Sequence, residues 1–72
     1  MCRSIKTLFP LDPPPTEEEI RAAAVQFVRK ISGYNKPSRA NEPAFLQAVE
    51  DITFTSTRLI GALTTKAQPK VR

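Results

Sequence analysis

The chain has no histidine, one cysteine and only two glycines in 72 residues, and each scarcity narrows the chemistry open to it. Without histidine there is no ordinary imidazole base. Cys2 alone cannot build a Cys/His zinc site or an internal disulfide. Gly33 and Gly61 stand far apart in the sequence, so no glycine-rich phosphate loop is present. No apolar run approaches the roughly 20 residues of a membrane span. The opening stretch, MCRSIKTLFPLDPPP, is basic but lacks the apolar segment of a secretory signal. The expectation is a cytoplasmic protein, not an enzyme, with no membrane segment, no cofactor, no metal site and no catalytic residue.

What remains is short and basic. Seventy-two residues make one domain at most. A chain of this size buries only about 60% of the surface its unfolded form exposes. Such a core rarely supplies more than roughly 3–5 kcal/mol. With disulfides and metals set aside, the available supports are tight helix packing, self-association or docking on a larger partner. A formal net charge of +4 favours anionic partners.

Three segments follow one another. Residues 1–15 form an arm. In SIKTLF, Ile5, Leu8 and Phe9 have helical spacing, while Ile5, Thr7, Phe9 and Leu11 alternate as in a strand, so both conformations stay open. Pro13, Pro14 and Pro15 then impose polyproline geometry and remove backbone donors. Residues 16–64 carry two predicted helices, at 17–32 and 42–64. Thr16 with Glu19 reads as a capping box. Glu17 to Glu19 complement the positive end of the first helix, and Arg29 and Lys30 its negative end. Gly33 is the expected C-terminal stop. Ile20, Ala23, Ala24, Phe27 and Ile31 form the expected inner stripe, flanked by Val28. Asn41 is the predicted N-cap of the second helix, with Pro43 tolerated in its first turn. Phe45, Val49, Ile52, Ser56, Leu59, Ile60 and Leu63 share one face of that helix; TFTST, at 53–57, is its weak spot. Residues 65–72 are a polar basic tail.

The expected architecture is therefore all-α. It is a small antiparallel two-helix hairpin with the arm packed on it, stabilised by self-association or a partner. Ile20, Phe27, Ile31, Phe45, Val49, Ile52, Leu59 and Leu63 are its expected core.

Three strings carry a family resemblance: MCRSIKTLF, then PPPTEEEIRAAAVQFVRKISGYNKPSRANE, then AF. The chain resembles the small bacterial proteins grouped as domain-of-unknown-function family 2277. Those begin Met-Cys-Arg-Asn-Ile and carry a Pro-Pro-Ala-Thr-Glu-Glu-Glu-Ile helix start, a Gln-Phe-Val-Arg-Lys run and a Lys-Pro-Ser-Lys/Arg-Ala-Asn loop. Ser4 departs from the pattern, as do Pro15, Pro43, the DITFTSTRLI segment and the shorter tail. The resemblance implies no activity. It marks Cys2, Arg3, Gln26, Arg29, Lys30, Lys36, Pro37, Ser38 and Asn41 as positions that match the pattern.

Two candidate surfaces emerge. RKISGYNKPSRAN, residues 29–41, holds four cations and no acid. Arg29, Lys30, Lys36 and Arg39 would meet phosphate, with Tyr34 stacking on a base and Ser38 donating a hydrogen bond. That reading points to RNA, DNA or a ribonucleoprotein. The competing reading is that Arg29 and Lys30 only complement the helix dipole. The second surface is Phe54 with Leu46 and Val25, apolar residues set off the inner stripes, which would dock a protein partner or a second copy. Cys2 beside Arg3 is a third candidate, for thiol chemistry, but it lacks an evident base.

Overall fold

The computed structural model describes residues 5–72. Cys2 and Arg3, and the expectation of a reactive thiol there, lie outside the described residues. The elements run β1 (Leu11–Asp12), α1 (Glu17–Ser32), α2 (Glu42–Ala62) and β2 (Lys70–Val71). The fold is mainly helical, and α1 and α2 pack together as a hairpin.

α1 begins where its free backbone donors are satisfied locally. The Glu19 N–H donates to Thr16 Oγ1 at 3.2 Å, and the Thr16 N–H donates to Glu19 Oε1 at 2.8 Å. These two bonds form the capping box. The helix stops at Gly33, whose φ of +80° lies in the left-handed region. Its N–H donates to the Arg29 carbonyl at 3.0 Å, a turn that a side chain would strain.

α2 starts differently from the expectation. Asn41 occupies the cap position, but its side chain makes no cap bond. TFTST stays helical because its hydroxyls turn back on their own helix. Thr53 Oγ1 donates to the Val49 carbonyl at 2.7 Å, and Thr57 Oγ1 to the Thr53 carbonyl at 2.8 Å. The buried threonine therefore leaves no polar atom without a partner. The helix ends at Ala62, two residues before the periodicity does, because Leu63 turns extended.

The core differs from the expected one. Ile20, Ala24, Val28, Val49 and Thr53 are buried. Val25, Phe45, Ala48 and Ile52 pack around Ala24, Val28 and Val49. Phe27, Ile31, Leu59 and Leu63, all expected inside, are instead exposed, Ile31 by 66% and Leu59 by 56%. Two causes account for this. On α1 the seam follows the i, i+4, i+8 row through Ile20, Ala24 and Val28, which lies to one side of Phe27. On α2, Arg21 of α1 pairs with Glu50, so the start of α1 is level with roughly residue 54 at 1.5 Å per residue. The last two turns of α2 thus run past the start of α1, which leaves Leu59 and Leu63 exposed.

Among the described residues of the arm, 5–15, there is no helix, and β1 is two residues long. Lys6 and Leu8 lie over the side of α1 remote from α2, beside Ala22, Gln26 and Arg29. Val25, expected as an exposed misfit, is half-buried and packed on the core. The tail is also tied down. β2 pairs in parallel with β1, Leu11 opposite Lys70 and Asp12 opposite Val71. The Lys70 N–H donates to the Pro10 carbonyl at 3.0 Å and the Arg72 N–H to the Asp12 carbonyl at 3.1 Å. The Arg72 guanidinium donates to both carboxylate oxygens of Glu19, each at 2.6 Å.

Two predictions follow from this packing. Ile20→Ala should cost about 2–5 kcal/mol in urea unfolding, whereas Leu46→Ala, at a site 53% exposed, should cost less than about 0.5 kcal/mol. The second concerns Glu19. The hydrogen bond from the Thr16 N–H, aided by the charge of Arg72, holds the Glu19 carboxyl below the usual carboxylate range, against an opposing desolvation. Its folded pKa is lower than its unfolded one, so its stabilisation is complete above the ordinary carboxylate range and is lost as pH falls through and below it. Glu19→Gln should lower the melting temperature near neutral pH. The gap to the wild type should shrink on acidification.

Candidate functional site

The segment joining α1 to α2 is built from its own side chains. Arg29, in the last turn of α1, donates from Nε to the Asn35 carbonyl at 3.0 Å. The Tyr34 N–H donates to Ser32 Oγ at 3.2 Å. Asn41 closes the far side. Its Nδ2 donates to the Tyr34 hydroxyl at 3.2 Å and to Ser38 Oγ at 3.1 Å, and its N–H donates to the Ser38 carbonyl at 3.0 Å. Asn41 thus fastens the turn instead of capping the helix, a role its short amide also suits. This role was missed in the sequence because both uses of asparagine fall next to a helix start.

The six expected anion-site residues separate into two kinds. Arg29, Tyr34 and Ser38 take part in the internal bonds of the turn. Lys30, Lys36 and Arg39 are exposed, and among the described residues none of them forms an ion pair. The hydroxyls of Tyr34 and Ser38 accept from Asn41 and so keep their own protons to donate. The Tyr34 ring is 42% exposed.

The acids lie elsewhere. Glu17 to Glu19 occupy the opposite end of α1. Glu50 pairs with Arg21, and Asp51 accepts from Gln47 Nε2 at 3.0 Å. Only Glu42, the first residue of α2, lies against the turn. Between Glu17 and Ala62, four of the six cations (Arg29, Lys30, Lys36 and Arg39, against Arg21 and Arg58) thus sit at the turn.

The expected docking patch is thinner than the sequence implied. Phe54 is 64% exposed, so the arm does not cover it. The Arg58 guanidinium carbon sits 5.7 Å from its ring centroid, a cation–π contact on the solvent side. Leu46 is exposed on the same four-residue row, but Glu50 lies between them and is held by Arg21. Val25 belongs to the core and leaves the patch.

Among the described residues no three His, Cys, Asp or Glu side chains converge on a point that would hold a metal ion. No helix among them is long and apolar enough to cross a membrane.

The family model described as Uncharacterized conserved protein (DUF2277) matches residues 1–72. No curated protein and no solved structure matches the chain.

The turn makes its own prediction. Asn41→Ala removes both side-chain bonds that fasten it. Amide hydrogen exchange should accelerate about tenfold or more over residues 34–40, while the α1 and α2 amides keep their protection. Equal acceleration throughout the chain would show that Asn41 supports the whole hairpin instead.

Proposed function

The chain belongs to the DUF2277 family, described as uncharacterized, and we propose from its geometry that it is a non-enzymatic adaptor that binds nucleic acid, free or in a ribonucleoprotein. Lys30, Lys36 and Arg39 meet the phosphates, with the free face of the Arg29 guanidinium beside them. Tyr34 offers its ring to an unstacked base, and Ser38 donates to phosphate or sugar. The role suits a cytoplasmic protein.

One observation carries this reading. Arg39 stands two residues before the Asn41 cap of α2, at the positive end of that helix. A cation there works against the dipole, and the dipole effect fades within one turn. Helix stability therefore explains Arg29 and Lys30, but it does not explain Lys36 or Arg39. An anion held between these two side chains and the first amides of α2 gives both a purpose. Docking of a protein through Phe54 and Leu46 is the weaker reading, since the paired Glu50 divides that patch and Val25 is not part of it.

A titration against labelled single-stranded RNA across a salt series tests the proposal. The log–log slope of affinity against salt should fall by about 0.7 unit for each phosphate that a variant no longer neutralises. Arg39→Glu should weaken binding and flatten the slope by at least that amount. Arg58→Glu, away from the turn on α2, should leave both unchanged. Equal weakening in the two variants would mean that net charge, not this turn, governs binding.

A further inference from the structure

The side chains expected in the core but found outside it lie on one side of the hairpin, at its two ends. Around each helix at 100° per residue, Arg21 and Glu50 fall on one side of the α1–α2 seam, where they pair. Phe27 and Ile31 on α1, and Ile52 and Leu59 on α2, fall on the other side or close to the seam, and Leu63 continues their row. Ala48 and Phe45 lie within this strip, with Lys30 at its α1 edge beside Phe27. Lys6 and Leu8 of the arm lie on the far side of α1, and Phe9, Pro10 and Leu11 lie with the tail around Glu19.

The chain also exposes more surface than its mass requires. Its accessible area is 5889 Å², against about 4,450 Å² for a compact monomer of its 8.0 kDa mass. Its radius of gyration is 13.7 Å, against about 11 Å for a compact chain of this length. The surplus of roughly 1,400 Å² is shared among the turn, the exposed tail and this strip, and it exceeds the about 800 Å² that each partner contributes to a standard interface.

We propose that two copies of the chain pack through this face to form a four-helix dimer, with their turns at opposite poles. A second copy fits the face because its two ends complement each other. α2 overhangs α1 at one end, presenting Leu59 and Leu63. The turn end presents Phe27 and Ile31. A two-fold axis near Ile52 and perpendicular to the helices stacks α2 of each copy on α2 of the other, so that the overhang of each reaches the turn end of the other near Phe45, beside the edge formed by Phe27 and Ile31, an isologous contact that closes. Opposite poles also keep the two cationic turns apart, and side-by-side poles would bring them together. The arrangement supplies the core that one hairpin lacks, in the manner of other four-helix bundles. It does not depend on what the turn binds.

Sedimentation equilibrium decides the matter. The wild type should have twice the 8.0 kDa chain mass. Leu59→Lys should sediment as a single chain with its helical circular dichroism retained, since Leu59 is already exposed in one copy. Phe54→Lys and Arg39→Glu should both remain dimers. A single-chain mass for the wild type at high micromolar concentration would overturn the proposal, as would a dimer that survives Leu59→Lys. For the poles, Ala48→Cys and Leu59→Cys chains, each also carrying Cys2→Ser, are mixed and oxidised. A disulfide between the two kinds of chain is expected. Crosslinking of Ala48→Cys chains only to each other would overturn the opposite-pole arrangement. Arg39→Glu separates this inference from the function proposed above, because it alters nucleic-acid binding and leaves the mass unchanged.

Discussion

Two helices make a single seam, and a single seam covers only one arc of each helix. On α1 the apolar residues span from Ile31 and Phe27 through Ala24 to Val28 and Val25, and on α2 from Leu59 through Ile52 to Val49. Each arc is wider than the partner helix can shield. Folding must then choose which part to bury, and it chooses the row through Ile20, Ala24 and Val28. Ala24 at the centre of that row allows close approach, since interaxial distance is set by the side chains at the contact. A seam through Phe27 would hold the helices further apart. The rest of the molecule follows from this choice. The arm takes the far side of α1, the Arg21–Glu50 pair seals one margin, and the other margin stays apolar and open.

Glu19 couples the remaining parts. Its carboxylate satisfies the first turn of α1 and receives both hydrogen bonds from Arg72. Arg72 is fixed in turn by the backbone bond to Asp12. Helix start, arm and tail therefore meet at one acid. A two-residue parallel pair is too short to stand alone. The ion pair holds β2 in register with β1, and β1 is anchored by the proline run that leads into the cap.

How much of this was legible depends on the range of each interaction. The capping box, the Gly33 stop and the span of α1 were readable because their partners lie within four residues. The pairing of Leu11 with Lys70 joins segments 59 residues apart, and no local pattern announces it. The stripe on α1 was legible as apolar, but its buried edge was not, because periodicity gives the arc and only the partner helix selects the seam within it. Leu59 and Leu63 were assigned to the core from their shared face alone; periodicity does not show that α2, with 21 residues, outruns α1, with 16. At the turn, the cluster of cations was plain in the sequence. The division between those that fasten the turn and those left free was not, since it rests on which carbonyl Arg29 reaches.

The charge pattern and the apolar face bear on one another. A small chain with marginal stability gains little from cations crowded at one end, and mutual repulsion among Arg29, Lys30, Lys36 and Arg39 works against the closed turn. Arg29 offsets part of this through Asn35, and Asn41 adds its two bonds from the other side. Those ties would be unnecessary if the turn were merely solvated, because a loose polar loop spreads its charges freely. A fastened turn holds them at fixed spacing instead. Fixed spacing lowers the entropy lost on meeting an anion. The stability that holds the turn closed has to come from elsewhere in the fold, and covering the apolar strip of α1 and α2 in the proposed dimer would supply it.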